Sequence, residues 1–331
     1  MKTRKAFEIE TSFESADLVL IPVPWSATVS YGGGTEKGPN LIRTASNYLD
    51  FFNSFLACSY NHKIYFEEND PDIESLNKKT LAYVKQLDKQ NYSECIENIN
   101  KASQSLLDWI YKKSKNIFQK DKIPALVGGD HSISEGLLSF LGDRYKGDYG
   151  ILHLDAHADL RKAYQGFTHS HASVMYNVLN LKNAPRKLIQ VAVRDLCEAE
   201  YKKIQKDKRI SCYFDKELYK RIFEGEKWSL ICQEIISHLP DKVYVSLDVD
   251  ALSWNYAPNT GTPVPGGLSF NQILYLLEEI KRQNKKLISF DVVETSPGKN
   301  EQDFAEWNGN VSARLIYYLS GLALCSYNKI N

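Results

Sequence analysis

Gly150-Ile-Leu-His-Leu-Asp-Ala-His-Ala-Asp159 is the stretch on which the fold turns. Its first five residues are a short, nearly continuous apolar run, the pattern of a strand buried on both faces rather than one. Its last five alternate carboxylate, imidazole and carboxylate. Similar apolar runs recur at Leu18–Val23, Ala125–Val127, Leu188–Val193, Val243–Leu247 and Leu287–Val293. Between them, Glu94–Phe118, Ser132–Leu141, Trp228–His238 and Phe270–Lys281 carry helical periodicity. Strands alternating with helices predict an α/β fold whose mainly parallel central sheet is covered on both faces. Such sheets gather ligands at the carboxyl ends of their strands. Chemical residues should therefore follow the apolar runs directly, and here they do.

Two further strand ends repeat the pattern. Gly128-Gly-Asp-His131-Ser follows Ala125–Val127, and Asp248-Val-Asp250 follows Val243–Leu247. Residues two apart on an extended chain project to one side, so Asp248 can join Asp250, and Asp155 can join His157 and Asp159. Carboxylates crowded there stay ionised only if a cation compensates them. Alone, a DxD at a strand end reads as a loop or cap feature; three such segments behind three expected parallel strands do not. Two imidazoles and four carboxylates suit two divalent ions of intermediate hardness. The absence of thiolates argues against structural zinc, and the presence of histidine argues against calcium. Two Mn²⁺ per chain fit best, with Ni²⁺, Co²⁺, Fe²⁺ or Zn²⁺ left open.

The rest of the chain narrows the setting. Its 331 residues carry 41 Lys+Arg against 41 Asp+Glu, so zero net charge gives no electrostatic reason for nucleic acid or an anionic membrane as partner. The basic start lacks a long apolar stretch behind it, and neither a signal peptide nor a spanning helix is expected. Six scattered cysteines form no CxxC pair and read as reduced thiols, which makes the cytoplasm the default compartment. No repeat or linker forces a boundary, and 1–331 reads as a single domain. Its segment at about 70–122, rich in Lys, Asn, Gln and Glu, reads as helices with solvated faces. Gly32-Gly33-Gly34 is no phosphate loop, because no Gly-Lys-Ser/Thr follows. Trp25 and Tyr31 are candidates for a pocket wall or for ordinary packing. His153 reads as a core residue, His238 as a surface one and His62 as part of a polar loop.

Gly128-Gly-Asp-His131-Ser, Asp155-Ala-His-Ala-Asp159 and Ser246-Leu-Asp-Val-Asp250 resemble the three signatures of the ureohydrolases, the family of arginase and agmatinase. The resemblance extends from Pro22-Val-Pro24 and Gly38-Pro-Asn-Leu-Ile-Arg43 through Thr260–Gly267 to Asp291-Val-Val-Glu294-Thr-Ser-Pro297. It implies one three-layer α/β/α domain, a dimanganese centre and a homo-oligomer. His131 and Asp159 are then terminal ligands of one metal, His157 and Asp250 of the other, with Asp155 and Asp248 bridging. Asp159 also accepts a hydrogen bond from the bridging hydroxide, and Glu294 pairs with the substrate guanidinium. His171, in Thr168-His-Ser-His-Ala-Ser173, matches the family's mobile proton-carrying histidine; His169 is a weaker candidate that could pack or bond within the loop. Arg161 and Thr262 fall beside the substrate. The implied reaction is hydrolysis of a guanidine or amidine C–N bond, urea and an amine being the products from a guanidine.

Asp159-Leu-Arg161-Lys-Ala-Tyr164-Gln-Gly166-Phe-Thr-His-Ser-His171 resembles a loop of some bacterial agmatinases and lacks the Asn/Ser pattern of arginases. Agmatine is therefore the first expectation. The cations Arg161 and Lys162 suit a carboxylate-bearing substrate better, which keeps formimidoylglutamate and guanidinobutyrate open; free guanidine is open as well. Arg161 is alternatively turned outward or paired with an acid. Glu301, Asp303 and Glu306 could receive a cationic tail or form a solvated loop. Ser253-Trp254 and Asn259 depart from the family's usual residues beside the site. Two remoter readings are a one-zinc deacetylase using Asp155, His157 and Asp248, and a non-catalytic binding protein. His131 and Asp250 speak against the first, and the complete ligand set against the second.

Overall fold

Along Leu18-Val19-Leu20-Ile21, Leu18 and Leu20 enter one hydrophobic core while Val19 and Ile21 enter another. That single-residue alternation, with all four side chains fully buried, requires a layer of helices on each side of the strand. In the computed structural model, which describes residues 5–28, 33–87, 91–297 and 305–330, this is what the chain builds. Strands β1 (Leu18–Pro22), β2 (Ile64–Phe66), β3 (Ile123–Val127), β4 (Gly150–Leu154), β5 (Lys187–Val193), β6 (Ile210–Phe214), β7 (Lys242–Asp248) and β8 (Lys286–Val293) form one sheet. Its order is β2-β1-β3-β8-β7-β4-β5-β6, and every pairing is parallel.

The helices of the described residues are α1 (Gly38–Ala45), α2 (Pro71–Val84), α3 (Tyr92–Gln119), α4 (Ser134–Tyr145), α5 (Val174–Leu179), α6 (Glu198–Lys206), α7 (Asp215–Phe223), α8 (Trp228–Ser237), α9 (Phe270–Arg282) and α10 (Ala305–Ser326). Ile42 of α1, Leu218 of α7, Ile231 of α8, Leu276 of α9 and Leu315 of α10 fill the core on one face of the sheet. Ile73, Leu106, Leu137, Val174 and Ile204, from α2 to α6, fill the core on the other. The expected three-layer α/β/α architecture is correct, and the sheet is parallel throughout. Truncating one such side chain, as in Leu152→Ala on β4, costs about 2–5 kcal/mol. No helix of the described residues is long and apolar enough to cross a membrane.

The six expected strands are present. Edge strands β2 and β6 escape the sequence pattern because one has three residues and the other is mostly half-buried, so neither leaves a continuous apolar run. The four expected helices match α3, α4, α8 and α9 within a few residues. The 70–122 segment forms α2 and α3, as expected; Asp70 caps α2 by accepting from the Asp72 amide at 2.9 Å, with Pro71 at its first position.

Topology places the chemistry. β3, β8, β7 and β4 are consecutive in the sheet, so the residues following each of them meet above its centre. The turn after β3 is tight: Gly129 has φ +87°, and a Cβ there would lie 2.4 Å from the carbonyl oxygen of Val23. Only glycine lets the chain carry His131 over the sheet at this point.

Candidate metal centre and substrate cavity

The same local device ends three of these strands. Asp130 accepts from the Ser132 amide at 3.1 Å, Asp155 from the His157 amide at 2.6 Å, and Asp248 from the Asp250 amide at 2.8 Å. Each is a carboxylate bonding the N–H two residues on, which bends the chain out of the strand. The side chains therefore do not converge by staying extended, as their spacing suggested. Asp159 itself has φ +54°, and Val249–Ala251 is a 3-10 turn. Turns, rather than pleats, aim the ligands.

In Asp155 and Asp248 the bond holds Oδ1 and leaves Oδ2 to face His131, whereas the second oxygen of Asp130 accepts from Thr28. Asp155 Oδ2, Asp159 Oδ2 and Asp248 Oδ2 lie 3.0, 3.1 and 3.6 Å from His131 Nδ1. Across the cluster, Asp155 Oδ1 and Asp250 Oδ2 lie 3.4 and 3.1 Å from His157 Nδ1. The Oδ1 of Asp250 is held by the Ala156 amide at 2.9 Å. Asp155 thus turns one oxygen to each imidazole. The six residues proposed from sequence come together, and two overlapping groups could each hold a metal ion: His131, His153, Asp155 and Asp159 in one, Asp155, His157 and Asp250 in the other, with Asp248 beside the first.

The donor set fits divalent cations. Although His131 Nδ1 is surrounded by carboxylate oxygens, it is buried without a hydrogen-bond partner, as a nitrogen aimed at a shared ion would be. Burial drives the Asp248 carboxyl well above its ordinary range, with Asp250 adding to it. Burial and Asp155 likewise push Asp159 up to about 6. Burial opposes the His157 imidazolium, yet Asp250 and Asp155 overcome it and hold that group at about 12. Without cations the cluster neutralises itself with protons, and divalent ions would take their place.

Partners fix the imidazoles too. The Ser246 hydroxyl donates to Asp291, and its oxygen lies 2.8 Å from His131 Nε2, so Nε2 donates to that oxygen and the ring is turned with Nδ1 towards the carboxylates. His153 is buried as expected, but it is not inert packing: its Nε2 lies 2.8 Å from Asp155 Oδ2, while Gln190 Nε2 bonds both its Nδ1 and the Ala158 carbonyl. Sequence reading missed Ser246, Asp291 and Gln190 as supports of the cluster. Each is a polar residue inside an apolar strand, and that was the available signal.

Glu294 lies beside His131, whose amide donates to Glu294 Oε1 at 2.9 Å. Its other oxygen, Oε2, is buried without a partner, and its backbone is held at φ +62°. Burial and the nearby Asp130 push this carboxyl well above its ordinary value. It is a fixed acceptor still lacking a donor.

Next to the cluster opens a cavity of about 120 Å³, lined in part by His157, Asp159, Tyr164, His171, Asp195 and Thr262. His171 is buried, its amide donating to Thr28 Oγ1 at 3.1 Å, and burial with the positive His157 lowers it to about 4. Arg161 also lines the cavity, but its guanidinium stacks over Tyr164 at 4.7 Å and lies 3.5 Å from Glu200. Its charge is therefore already paired. Asp195, unremarked in the sequence, stands exposed on the wall.

Several smaller expectations resolve here. His169 bonds Glu135 outside its loop rather than within it. Trp25 packs in the core instead of lining the cavity. Asn259 ties Pro297 and Asn308 together behind Glu294, giving that departure a structural role, and Trp254 is exposed. Tyr31, Gly32, Glu301, Asp303 and the side chain of Glu306 lie outside the described residues. All six cysteines are free, Cys95 and Cys232 being buried.

Comparison with known proteins agrees. A family model described as the Arginase family matches residues 16–320. The N(1)-aminopropylagmatine ureohydrolase of Thermus thermophilus is 30% identical over 316 residues, covering 95% of this chain and 93% of that protein. The agmatinase of Bacillus cereus is 26% identical over 293 residues, 88% of each. The crystal structure of the agmatine ureohydrolase of Thermoplasma volcanium superposes with a TM-score of 0.74 at 21% identity, covering 100% of this chain and 98% of that one. With its ligand residues gathered above a parallel sheet of the same fold, the chain belongs to the arginase family, whose hydrolases act on guanidino C–N bonds.

Proposed function

We propose that this protein hydrolyses an amine-tailed guanidine of the agmatine type, agmatine and water giving putrescine and urea. The observation that carries this reading is Asp155, shared between His131 and His157 in one buried cluster. His131, Asp155, Asp159 and Asp248 would hold one divalent cation, and Asp155, His157, Asp248 and Asp250 the second. Two Mn²⁺ suit this mixed imidazole and carboxylate set best. When bound, such a pair lowers the pKa of a shared water and makes hydroxide available near neutral pH.

The protein's own groups orient and relay. The unpaired Oε2 of Glu294 would accept from the guanidinium and fix the central carbon over the cluster. Asp159, whose Oδ2 faces inward, would accept a hydrogen bond from the attacking oxygen. His171, on the wall of the cavity, would carry a proton to the departing amine. Thr262 contributes to the cavity wall.

Pairing of Arg161 with Glu200 weakens the electrostatic case for a carboxylate-bearing substrate, and exposed Asp195 suits an ammonium tail. The similarity to an aminopropylagmatine ureohydrolase and to agmatinases supports the same choice. We place the enzyme in the cytoplasm, as a single-domain chain within a homo-oligomer; its six free thiols agree with a reducing compartment.

The test loads purified protein with Mn²⁺ or Ni²⁺, counts metal per chain, and assays agmatine, aminopropylagmatine, arginine, guanidinobutyrate, formimidoylglutamate and guanidine. Urea release with the highest kcat/KM on an amine-tailed guanidine is expected. Preference for a carboxylate-bearing substrate would reject the assignment, and full activity at one zinc per chain would favour the deacetylase alternative.

A further inference from the structure

We propose that Asn100 of α3 and His169 are positioning residues that clamp the 163–173 loop, so that Tyr164 and His171 face the cavity. The inference rests on the reading of that cavity as the substrate site. It also gives the 70–122 segment a role beyond solvated helix faces.

The loop's own backbone bonds are short turns, Gly166 to Ala163, Phe167 to Tyr164 and Ser173 to Ser170. Ala163 and Gln165 sit at φ 46° and 54°, in the left-handed region that non-glycine residues avoid. Further support comes from outside. Both polar atoms of the Asn100 side chain bond loop backbone: Nδ2 donates to the Gly166 carbonyl at 3.1 Å, and Oδ1 accepts from the Thr168 amide at 2.9 Å. Tyr92 Oη donates to the Gln165 carbonyl at 3.2 Å. A Cβ on Gly166 would lie 3.2 Å from Ile96 Cδ1 and 3.3 Å from Tyr92 Oη, so the loop rests directly on these side chains. Tyr92, Ile96 and Asn100 are four residues apart, one stripe of α3.

The opposite side of the loop is held through Glu135. His169 Nδ1 lies 3.1 and 3.0 Å from the two carboxylate oxygens of Glu135, which is buried on α4. Asn177 of α5 donates to the same carboxylate and to the Thr168 carbonyl, both at 2.9 Å. His171 follows His169 by two residues. Its position therefore depends on α3, α4 and α5 together.

The test compares Asn100→Ala and His169→Ala with His169→Asn, whose amide nitrogen can replace Nδ1, and with Gln104→Ala, an exposed change on the same helix. Hydrogen exchange of residues 160–175 should accelerate about tenfold in the two clamp variants, with the remaining peptides, the melting temperature and the metal content unchanged. On agmatine, kcat should fall about tenfold in both, and the limb of its pH profile assigned to His171 should move. His169→Asn and Gln104→Ala should behave like wild type. Wild-type exchange in both clamp variants overturns the proposal, as does faster exchange spread evenly over the protein. If His169→Asn is as impaired as His169→Ala, the bond to Glu135 is not what His169 contributes. Exchange judges the clamp even if the wild type turns over no guanidine, an outcome that would reject the function alone.

Discussion

The cluster above β3, β4 and β7 and the loop over residues 163–173 face the same cavity but are built in opposite ways. In the cluster, Asp155 and Asp248 are each held by a main-chain amide two residues away, and Asp250 by the Ala156 amide of the neighbouring strand end, so main chain aims the carboxylates. In the loop, the main chain and the His169 ring are held by side chains from α3 and α4, tens of residues distant in sequence, and by Asn177 of α5, which follows directly. Local support gives rigidity wherever the strand ends are in place. Remote support can be altered without touching a ligand, which suits the part of a site that selects a substrate.

The largest expected effect lies in the cluster. His131→Ala should lose at least one metal and lower kcat by on the order of 10³ or more, checked by metal analysis beside urea release. Two metals retained at full rate would contradict the assignment of His131. Chelation should come next: a site saturated at one hundred times its Kd adds about 2.7 kcal/mol to stability, so stripping the ions should lower the melting temperature and re-addition of Mn²⁺ should restore it. His153→Phe keeps the buried ring but loses the bond to Asp155, and metal affinity should fall about 10–100-fold by competition titration. Unchanged affinity would return His153 to ordinary packing. The smallest change belongs to the loop. Arg161→Ala removes a half-exposed pair with Glu200, so KM for agmatine should move by no more than about fivefold. A much larger rise would place Arg161 on the substrate after all.

The same contrast explains what could be read from the chain alone. That the six candidate residues gather was legible because they follow apolar runs, and parallel strands bring their carboxyl ends together wherever those runs fall. Their mechanism of convergence was not, since spacing suggested an extended projection while Asx turns and the φ +54° of Asp159 perform it. His153 looked like core because its partner Asp155 also belongs to the cluster. The cationic Arg161 suggested a carboxylate substrate until Glu200, 39 positions later in the sequence, was found beside it.

Sequence by itself determined the architecture and which candidate residues gather, because hydrophobic periodicity dictates which segments are buried and strand direction dictates where their ends lie. Tertiary structure alone decided which charges are already paired, which carboxylate oxygen remains open, and which helix steadies the loop carrying His171. Those depend on contacts a few ångströms long between residues far apart in the chain, and no local pattern encodes them.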